Sequence, residues 1–386
     1  MKKMHNFKEL VKKLCPNGVE YKELNTLVDY IQPTKYIVKS TKYNDEYDIP
    51  VLTPGQTFIL GYTNEKEGIY NADKENPIIL FDDFTTAFRW INFKFKTKSS
   101  AVKILIPRNN NINFRYVFYA MQTIKFDNTQ HNRQWISKYS ILKIPVPPIE
   151  VQNEIVRILD HFTELEAELE AELEARRKQS EYYEHNLIWN NTYSMRKLKD
   201  LCVVNQGLQI PISKRFNEPG KNRYLYITVQ FLKNNNQNKY YIEKPDKNVI
   251  CKKDDILVTR TGSTGIIITG VDGCFHNNFF KVTCNDKIDK EYMYCVLKSR
   301  SMYNKMLAVA SGGTVPDLPH NKFYNLEIPV PSLKEQTIIA KKIKIFDKLC
   351  NDITQGLPAE IEARKKQYEY YRDKILDFKE LKVENK

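Results

Sequence analysis

The stretch Ile144-Pro-Val-Pro-Pro-Ile-Glu-Val-Gln152 recurs 184 residues later in the chain as Ile328-Pro-Val-Pro-Ser-Leu-Lys-Glu-Gln336. Proline fixes φ and lacks an amide donor, so each copy is expected to be an extended segment that stops where a helix begins. A repeat of this kind, separated by a whole domain, predicts a chain built from two equivalent halves.

A long amphipathic segment follows each copy of the motif. The apolar positions are Ile158, Phe162, Leu165, Leu169 and Leu173 in the first segment and Ile339, Ile343, Phe346, Leu349 and Ile353 in the second. Steps of three and four residues are those of a heptad seam, so each segment is predicted to be a helix with one apolar face. Gly356 and Pro358 predict a kink in the second helix. One such face could simply pack on its own domain, but two matching faces favour pairing of the helices with each other.

The first helix contains a shorter repeat, in which Glu-Leu-Glu-Ala occurs three times between Glu164 and Ala175. This run is a strong helix former, and its glutamates are expected to form a solvated face. The two helices end alike, in Glu174-Ala-Arg-Arg-Lys-Gln179 and Glu362-Ala-Arg-Lys-Lys-Gln367, and a tyrosine pair follows each end. These ends are 188 residues apart, so the second half carries four additional residues.

Charge is distributed in blocks along the 386-residue chain, whose formal net charge is +13. Residues 1–150 carry +7 and residues 192–334 carry +10, whereas residues 151–191 carry −6 and residues 335–386 carry +2. Positive potential is therefore concentrated in the two blocks that precede the helices, where a polyanion such as nucleic acid could bind. The seven cysteines include no Cys-x-x-Cys pair, which argues against a disulfide framework and a zinc site. The sequence shows no membrane-spanning or signal segment, so a cytoplasmic protein is predicted.

Motifs for catalysis are not found in the sequence. A DNA methyltransferase needs a glycine-bearing loop for S-adenosylmethionine and a proline-aromatic loop around the flipped base, but Asn76-Pro77 is followed by Ile78. A common nuclease site needs clustered carboxylates, and neither Pro245-Asp246 nor Pro316-Asp317 has an Asp/Glu-x-Lys within the next thirty residues. The six histidines show no ligand spacing. The sequence therefore predicts a protein without a catalytic centre.

Together these features resemble the specificity subunits of type I restriction-modification systems, and the resemblance covers nearly the whole chain. The proline motifs, the tetrapeptide repeats and the basic helix ends are its most specific parts. Asp254-Asp-Ile-Leu-Val-Thr-Arg-Thr-Gly-Ser-Thr-Gly265 is similar to a strand and turn of the family's recognition domain, and Ser311-Gly-Gly-Thr314 is similar to a later glycine-containing loop. The first half departs from this pattern, with Phe81-Asp-Asp-Phe-Thr-Thr-Ala-Phe-Arg89 and Gln130-His-Asn-Arg-Gln-Trp135 in place of the glycine loops.

The resemblance implies an α+β fold with two target-recognition domains, at 1–148 and 191–332, separated by spacer helices at 149–190 and 333–380. The helices would pack antiparallel as a coiled coil, and a pseudo-twofold axis would relate the halves. The implied function is to read a bipartite, asymmetric target in double-stranded DNA and to assemble two methyltransferase subunits with restriction or translocase subunits. No cofactor is expected on this chain, whereas S-adenosylmethionine, ATP and Mg²⁺ are expected on the partner subunits.

The side chains expected to contact DNA are basic or hydroxyl residues, together with one tryptophan: Arg89, Arg133, Trp135, Lys214, Arg215, Arg260, Thr261, Ser263, Thr264 and Thr314. A polar turn between two strands can approach a base edge, although the same turn could be an ordinary hairpin, and Trp135 could equally anchor the core. The residues expected at the partner interface are Arg176, Arg177, Lys178, Arg364, Lys365 and Lys366. Basic residues near a helix C-terminus also complement the helix dipole without any partner.

Two other functions are consistent with parts of the sequence. One is a self-contained DNA methyltransferase or nuclease with an unrecognised active site, which methyl transfer by the purified chain alone would reveal. The other is a coiled-coil interaction protein whose basic blocks bind nothing in particular. Salt-dependent and sequence-selective binding to duplex DNA, with partners present, would exclude this last function.

Overall fold

Each proline motif forms a short strand that leads into a long helix. The strand Lys143–Val146 precedes the helix Ile149–Ile188, and the strand Glu327–Pro329 precedes the helix Leu333–Asn351. The prolines act as the sequence predicts, because the extended backbone that they favour stops just before each helix starts.

The computed structural model of the protein describes residues 2–53, 57–127, 132–233, 239–312, 316–351 and 356–381. The chain forms two compact units. The first unit consists of Met1–Glu168 and Glu362–Lys386, and the second unit consists of Leu169–Ile361. The chain passes from the first unit to the second within one long helix and returns within another.

The first unit is a mixed α/β structure. Its helices are α1 (Lys2–Leu14), α2 (Leu24–Leu27), α3 (Phe114–Met121), the first part of α4 (Ile149–Ile188) and the larger part of the C-terminal helix Leu357–Ile375. Its strands are β1 (Glu20–Glu23), β2 (Val28–Ile31), β3 (Ile49–Leu52), β4 (Ile59–Thr63), β5 (Ile78–Asp82), β6 (Phe88–Ile91), β7 (Lys96–Thr97), β8 (Val102–Pro107) and β9 (Lys143–Val146). They form a four-stranded sheet in the order β2-β8-β5-β6, a three-stranded sheet in the order β4-β3-β7, and the pair β1-β9. All of β5 is buried, and its alternate side chains enter two different apolar cores, so both faces of the four-stranded sheet are covered.

The second unit is also mixed α/β. Its helices are the second part of α4, α5 (Val229–Lys233), α6 (Lys290–Lys298), α7 (Arg300–Val309), α8 (His320–Tyr324), α9 (Leu333–Asn351) and the start of α10 (Leu357–Ile375). Its strands are β10 (Met195–Lys197), β11 (Cys202–Gln206), β12 (Arg223–Ile227), β13 (Tyr241–Glu243), β14 (Ile250–Cys251), β15 (Ile256–Thr259), β16 (Ile267–Ile268), β17 (Gly273–Phe275), β18 (Phe279–Cys284) and β19 (Glu327–Pro329). They form two four-stranded sheets, in the orders β11-β18-β15-β16 and β13-β12-β17-β14, and the pair β10-β19.

The two units repeat one strand arrangement. β8 and β5 are the central neighbours of the first unit's larger sheet, and β18 and β15 occupy the same places in the second unit. β3 pairs in parallel with β7 and antiparallel with β4, and β12 pairs in the same way with β17 and β13. The duplication that the proline motif predicts therefore extends through the strand arrangement of both units, and the predicted mixture of helices and strands is confirmed.

A buried glutamine near the start of each long helix ties that helix to its own unit. Gln152 and Gln336 each donate through Nε2 to the backbone carbonyl of the proline five residues earlier, at 2.7 and 2.9 Å. Their Oε1 atoms accept the backbone N–H of Asn113 (2.9 Å) and Asp289 (2.7 Å), the residues that cap α3 and α6. The last residue of each proline motif thus links strand, cap and helix, and its amide is satisfied on both sides.

A buried tyrosine makes a second link in each unit. The hydroxyl of Tyr116 in α3 donates to the carbonyl of Pro145 (2.7 Å), and that of Tyr292 in α6 donates to the carbonyl of Pro329 (2.9 Å). Burial raises the pKa of both phenols above the ordinary value, so each remains a hydrogen-bond donor.

The central helix α4 is continuous, whereas its C-terminal counterpart is divided. The described part of α9 runs to Asn351 and α10 begins at Leu357, and the backbone leaves the helical region at Gly356, where the sequence predicts a kink. Gly356 has a φ of +80°, and a Cβ there would lie 2.6 Å from the carbonyl oxygen of Leu349, so glycine is required.

The prediction that Leu349 continues the apolar stripe is wrong, because its side chain is 40% exposed. The buried position is Cys350, four residues after Phe346, as the helical period of 3.6 residues allows. Ile353 lies outside the described residues.

Aromatic side chains pair the helices within each unit. In the first unit the rings of Phe162 in α4 and Tyr371 in α10 stack with their centroids 5.6 Å apart. In the second unit Tyr183 in α4 and Phe346 in α9 stack at the same distance. One predicted apolar position in each unit, Phe162 or Phe346, thus contacts a tyrosine of the other helix, whereas Phe162, Leu165, Leu169 and Leu173 are half-buried rather than fully enclosed.

Candidate DNA interface

The turn between β15 and β16 has a shape that its own residues fix. Gly262 and Gly265 have φ values of +89° and +82°, in the left-handed region that favours glycine. The hydroxyl of Thr259 donates to the carbonyl of Ser263 and accepts the backbone N–H of Ile266 at 2.8 Å. The polar turn that the sequence predicts is present, and its geometry is set before any ligand binds.

Thr264 belongs to the interior of this turn. Its side chain is 3% exposed, and its hydroxyl lies 3.0 Å from the carbonyl oxygen of Arg260 and 2.6 Å from that of Pro316. The expectation that Thr264 contacts DNA does not fit this position, because the hydroxyl is needed to join the turn to the segment at 316. Thr314 lies outside the described residues.

Arg260 is held by a carboxylate that the sequence analysis did not select. Its Nε and Nη2 donate to the two carboxylate oxygens of Asp317, at 2.8 and 3.1 Å, and the hydroxyl of Thr261 donates to the same carboxylate at 2.8 Å. The hydrogen bond from Arg260 lowers the pKa of Asp317, so the carboxylate is ionised at neutral pH. A sequence signal for this residue does exist, since Asp317 is the only acidic residue between Glu291 and Glu327.

Lys214 and Arg215 are neighbours in sequence with different environments. Lys214 is exposed, as a phosphate contact requires. Arg215 is half-buried, donates from Nε (2.9 Å) and Nη2 (2.7 Å) to the carbonyl of Ile210, and lies over the rings of Tyr226 and Tyr240. Arg215 therefore braces its own loop, and Lys214 is the better placed of the two for a contact with DNA.

The first unit has a different structure at the equivalent place. The loop between β5 and β6 carries Asp83, whose Oδ1 accepts the backbone N–H groups of Gln134 (3.1 Å) and Trp135 (2.8 Å). The two segments that depart from the glycine-loop pattern are thus joined to each other by one carboxylate. Gln130 and His131 lie outside the described residues.

Two of the three predicted contacts in the first unit are on the surface. Arg89 in β6 is exposed and its guanidinium lies 4.6 Å from the ring centroid of Phe58. Arg133 is exposed and its Nη2 lies 3.5 Å from the hydroxyl of Ser100, at the limit of a hydrogen bond. Both guanidinium groups keep donors that face solvent.

Trp135 is the exception among these contacts. Its side chain is 2% exposed and packs against the rings of Phe81 and Tyr139, with centroids 4.9 and 6.1 Å away. Trp135 therefore anchors the core of the first unit, and its ring is not available to stack on a base.

A buried ion pair lies beneath the same loops. The ammonium of Lys103 and the carboxylate of Asp83 are 3.0 Å apart, with 0% and 1% of their side-chain surfaces exposed, and the ammonium is 5.6 Å from the ring centroid of Tyr30. The sequence offers one signal, a lysine in the middle of the apolar run at 101–106. Because an unpaired buried charge is costly, this pair fixes both loops of the first unit.

The residues expected at the partner interface lie on the helices, and most are exposed. Their contacts include ion pairs and hydrogen bonds with side chains of the helices: Arg176 with Glu172 and Gln179, Lys178 with Glu174, Arg364 with Gln367, Lys365 with Glu166, and Lys366 with Glu362. Exposed ion pairs contribute little to stability, so these side chains can rearrange towards a partner at low cost.

A cavity of about 560 Å³ in the second unit is lined in part by Arg177 of α4. Its lining carries groups of both signs, including Arg177, Glu184, Lys298, Arg300 and Asp347. Burial raises the pKa of Glu184 to about 7, although the nearby Lys298 acts in the opposite direction. The predicted docking residue Arg177 and Glu184 thus line the same cavity.

The described residues contain no group of three or more His, Cys, Asp or Glu side chains placed to hold a metal ion. Among these residues no helix combines the length and apolar character needed to cross a bilayer.

The fold and these loops define a duplicated α/β protein in which two units of the same strand arrangement carry different polar loops. A family model described as the type I restriction modification DNA specificity domain matches residues 16–175 and again residues 190–363. The chain therefore belongs to the type I restriction-modification specificity subunits. It is a DNA specificity subunit, and its family role is recognition rather than catalysis.

Relatives across the whole length agree with this assignment. The chain is 37% identical to the specificity subunit of the type I restriction enzymes EcoR124I/EcoR124II of Escherichia coli, over 93% of this chain and 94% of that protein. It is 29% identical to a putative type I restriction enzyme specificity subunit of Haemophilus influenzae, over 97% and 100% of the two chains. The fold is similar to the crystal structure of a type I restriction-modification S subunit from M. genitalium, with a TM-score of 0.53, 17% identity and coverage of 93% and 96%.

Proposed function

We propose that this chain reads a bipartite, asymmetric sequence in double-stranded DNA through recognition domains at 1–148 and 191–332. The observation that carries the proposal is that the two units share one strand arrangement but present different loops at the same place. The turn after β15 contains Arg260, whereas the loop after β5 contains Asp83. Equivalent frames with different contact residues are suited to reading two different half-sites.

The proposed spacer helices, at 149–190 and 333–380, hold the half-sites a fixed distance apart. We propose that they pack antiparallel and that a pseudo-twofold axis relates the halves. Support comes from the two aromatic contacts, because Phe346 corresponds to Phe162 and Tyr371 corresponds to Tyr183 in the duplicated sequence. Each stack therefore joins a phenylalanine at one repeat position to a tyrosine at the other. The phenylalanine belongs to the central helix in the first stack and to the C-terminal helix in the second.

The proposed DNA contacts are the predicted side chains that the structure leaves exposed or half-buried in these loops: Arg89, Arg133, Lys214, Arg260, Thr261 and Ser263. Exposed lysine and arginine supply phosphate contacts that position the protein, and the turn residues supply contacts to base edges. Trp135, Thr264 and Arg215 act on the structure of the loops instead.

The proposed partners are two methyltransferase subunits, which flip and methylate an adenine in each half-site, and restriction or translocase subunits. S-adenosylmethionine, ATP and Mg²⁺ are assigned to those subunits and not to this chain. Since its substrate is the DNA of the cell, the complex belongs in the cytoplasm.

Genome-wide mapping of methylated adenines tests the proposed function directly. Cells that express the methyltransferase with this chain should carry methylation at one two-part motif with a constant gap, and cells that lack this chain should not. Methylation without a constant two-part motif would contradict the proposal. Methyl transfer by the purified chain alone would instead identify a self-contained enzyme.

Replacing Arg133 with alanine is expected to change methylation at one half-site while the fold and the partner complex persist. Its side chain is exposed and makes one contact at the limit of hydrogen bonding, so its loss should alter stability by no more than about 0.5 kcal/mol. Adenine mapping with the variant measures the effect. Arg133 contacts Ser100, which lies just before β8, whereas Arg108 follows the opposite end of that strand. Arg108→Ala, which removes an exposed ion pair with Asp29, is therefore the matched control and should leave the motif unchanged. Equal loss at both half-sites, or insoluble protein, would count against a contact with DNA.

Reversing the charges of Arg176, Arg177 and Lys178 to glutamate is expected to remove one of the two methyltransferase subunits from the complex. The variant places three negative charges where we propose a basic docking surface, next to the existing Glu172 and Glu174. Mass measurement of the co-purified complex gives the stoichiometry.

A matched variant with glutamine at the same three positions separates docking from repulsion along the helix, since it removes the charges without reversing them. It is expected to weaken the complex by a smaller amount. Unchanged stoichiometry with both variants would refute docking at residues 176–178 of α4.

A further inference from the structure

We propose that Asp317 is a positioning residue for DNA recognition, and that it holds Arg260 in the orientation that reads a guanine in the half-site of the second domain. The inference rests on the proposed function, because it assigns one base of one half-site.

The guanidinium of Arg260 is engaged along one side. Nε and Nη2 donate to the two carboxylate oxygens of Asp317, which uses two of the five N–H donors. Among the described residues the structure gives the remaining three donors, two on Nη1 and one on Nη2, no hydrogen-bond partner. Adjacent donors at the end of a guanidinium match the O6 and N7 acceptors of guanine in the major groove. The ion pair therefore leaves free the edge that recognises guanine, and 29% of the Arg260 side chain is exposed.

Asp317 is itself fixed from two directions. The hydroxyl of Thr261 donates to its carboxylate at 2.8 Å, and its backbone exchanges two hydrogen bonds with Ser311, at 2.8 and 2.7 Å. A long arginine side chain that is ordered before binding loses less entropy when it meets a base. The geometry of Arg260 is thus set by the protein and not by the DNA.

A carboxylate at position 317 lowers the general affinity for DNA, which an uncharged residue would not do. The surrounding segment is basic, and a negative charge near DNA opposes the sequence-independent attraction of the phosphates. Asp317 thus favours selectivity at the expense of general affinity. In the first unit the position equivalent to Arg260 holds Asp83, which faces Lys103, so the inference concerns one half-site only.

The test uses the full chain with its methyltransferase and compares binding to duplexes that vary one base pair at a time across the target. A bidentate contact to guanine discriminates by about 5-fold to about 150-fold. Asp317→Asn is expected to bring this discrimination down to about twofold at a single G·C pair, with affinity for unrelated duplex DNA unchanged or higher. Arg260→Lys keeps a cation beside Asp317 but loses the fork, and should relax the same base pair. Asp254→Asn, which removes an exposed ion pair with Lys290 at the other end of β15, is the control and should change nothing.

The possible outcomes separate the inference from the proposed function. Relaxation at one G·C pair by both Asp317→Asn and Arg260→Lys supports the inference. Relaxation by Arg260→Lys alone, or at a pair other than G·C, overturns it and leaves DNA reading intact. If Asp317→Asn does not fold, Asp317→Glu, which keeps the charge but moves the carboxylate by one methylene, should relax the same G·C pair, and full discrimination by that variant overturns the inference. A wild-type complex with no sequence preference would remove the proposed function itself.

Discussion

Replacing Lys103 with alanine is expected to destabilise the first unit by about 3–5 kcal/mol, because the change leaves the carboxylate of Asp83 buried without its cation. Among the described residues Lys103 Nζ and Asp83 Oδ2 have no polar partner besides each other, so each depends on the charge of the other. The segment that contains Gln134 and Trp135 should become less ordered in this variant, since Asp83 Oδ1 accepts the backbone N–H groups of both residues. Urea unfolding, followed by the exposure of Trp135, measures the loss.

Two further variants show whether charge or packing is responsible. Lys103→Met preserves most of the side-chain volume and should be nearly as destabilising as the alanine variant. Combining it with Asp83→Asn should recover most of the stability, because the amide oxygen can still accept the two backbone N–H groups while no charge remains buried. The exposed pair of Lys22 and Glu20 is the control, and Lys22→Ala should cost less than about 1 kcal/mol. A small effect of Lys103→Ala would mean that the pair does not support the fold.

The parts of the fold that follow from local sequence were predictable. Alternation of proline with apolar residues requires extended backbone, and the apolar runs at 77–81 and 255–259 become the buried strands β5 and β15. The heptad steps give α4, because one buried face is enough to position a long helix. The exact end of the apolar stripe was not predictable, since the buried face moves from Leu349 to Cys350 just before the interruption at Gly356.

The candidate site was less predictable, because residue type does not determine which way a loop side chain faces. Trp135 and Thr264 have the chemistry of DNA contacts, yet both are turned inward by partners far away in the sequence. Asp317 was missed for the opposite reason. A search for cations in basic loops selects against a carboxylate, although Asp317 is what orients Arg260.

The two halves also keep an ion pair between equivalent helices although the residues that form it differ. In the first unit Arg115 of α3 pairs with Asp160 of α4 at 2.9 Å. In the second unit the corresponding pair is Glu291 of α6 with Lys344 of α9, so the polarity is reversed. Because the two contacts have the same function with exchanged charges, a comparison of residue types alone would not align them. This is a physical reason why the repeat is visible in the proline motifs and hidden in most of each domain.

Deleting Glu168–Ala171, one of the three Glu-Leu-Glu-Ala units, is expected to abolish methylation at the original target and to create a new target whose gap is about one base pair shorter. The deletion removes about 6 Å of helix, against about 3.4 Å per base pair along the duplex, and a change in helix tilt takes up the length beyond one base pair. Four residues turn a helix by about 400°, only about 40° beyond a full turn, so the apolar face formed by Leu165 and Leu173 nearly keeps its register. The remaining helical mismatch is absorbed by tilt and by twist of the DNA. The bases read in each half-site should not change, because the deletion lies outside both recognition domains.

The position of the repeats in the structure supports their role as a ruler. The division between the two units falls between Glu168 and Leu169, within the repeats and within the uninterrupted helix α4. Genome-wide adenine mapping of the deletion variant reads out half-sites and gap together. The control replaces Glu168 and Glu170 with alanine, which removes the same two charges at full length and should keep the original gap. An active deletion variant that methylates the original target would show that the repeats are a stable helix and not a ruler, since α4 would then be shorter without any change in the distance between the bases that are read.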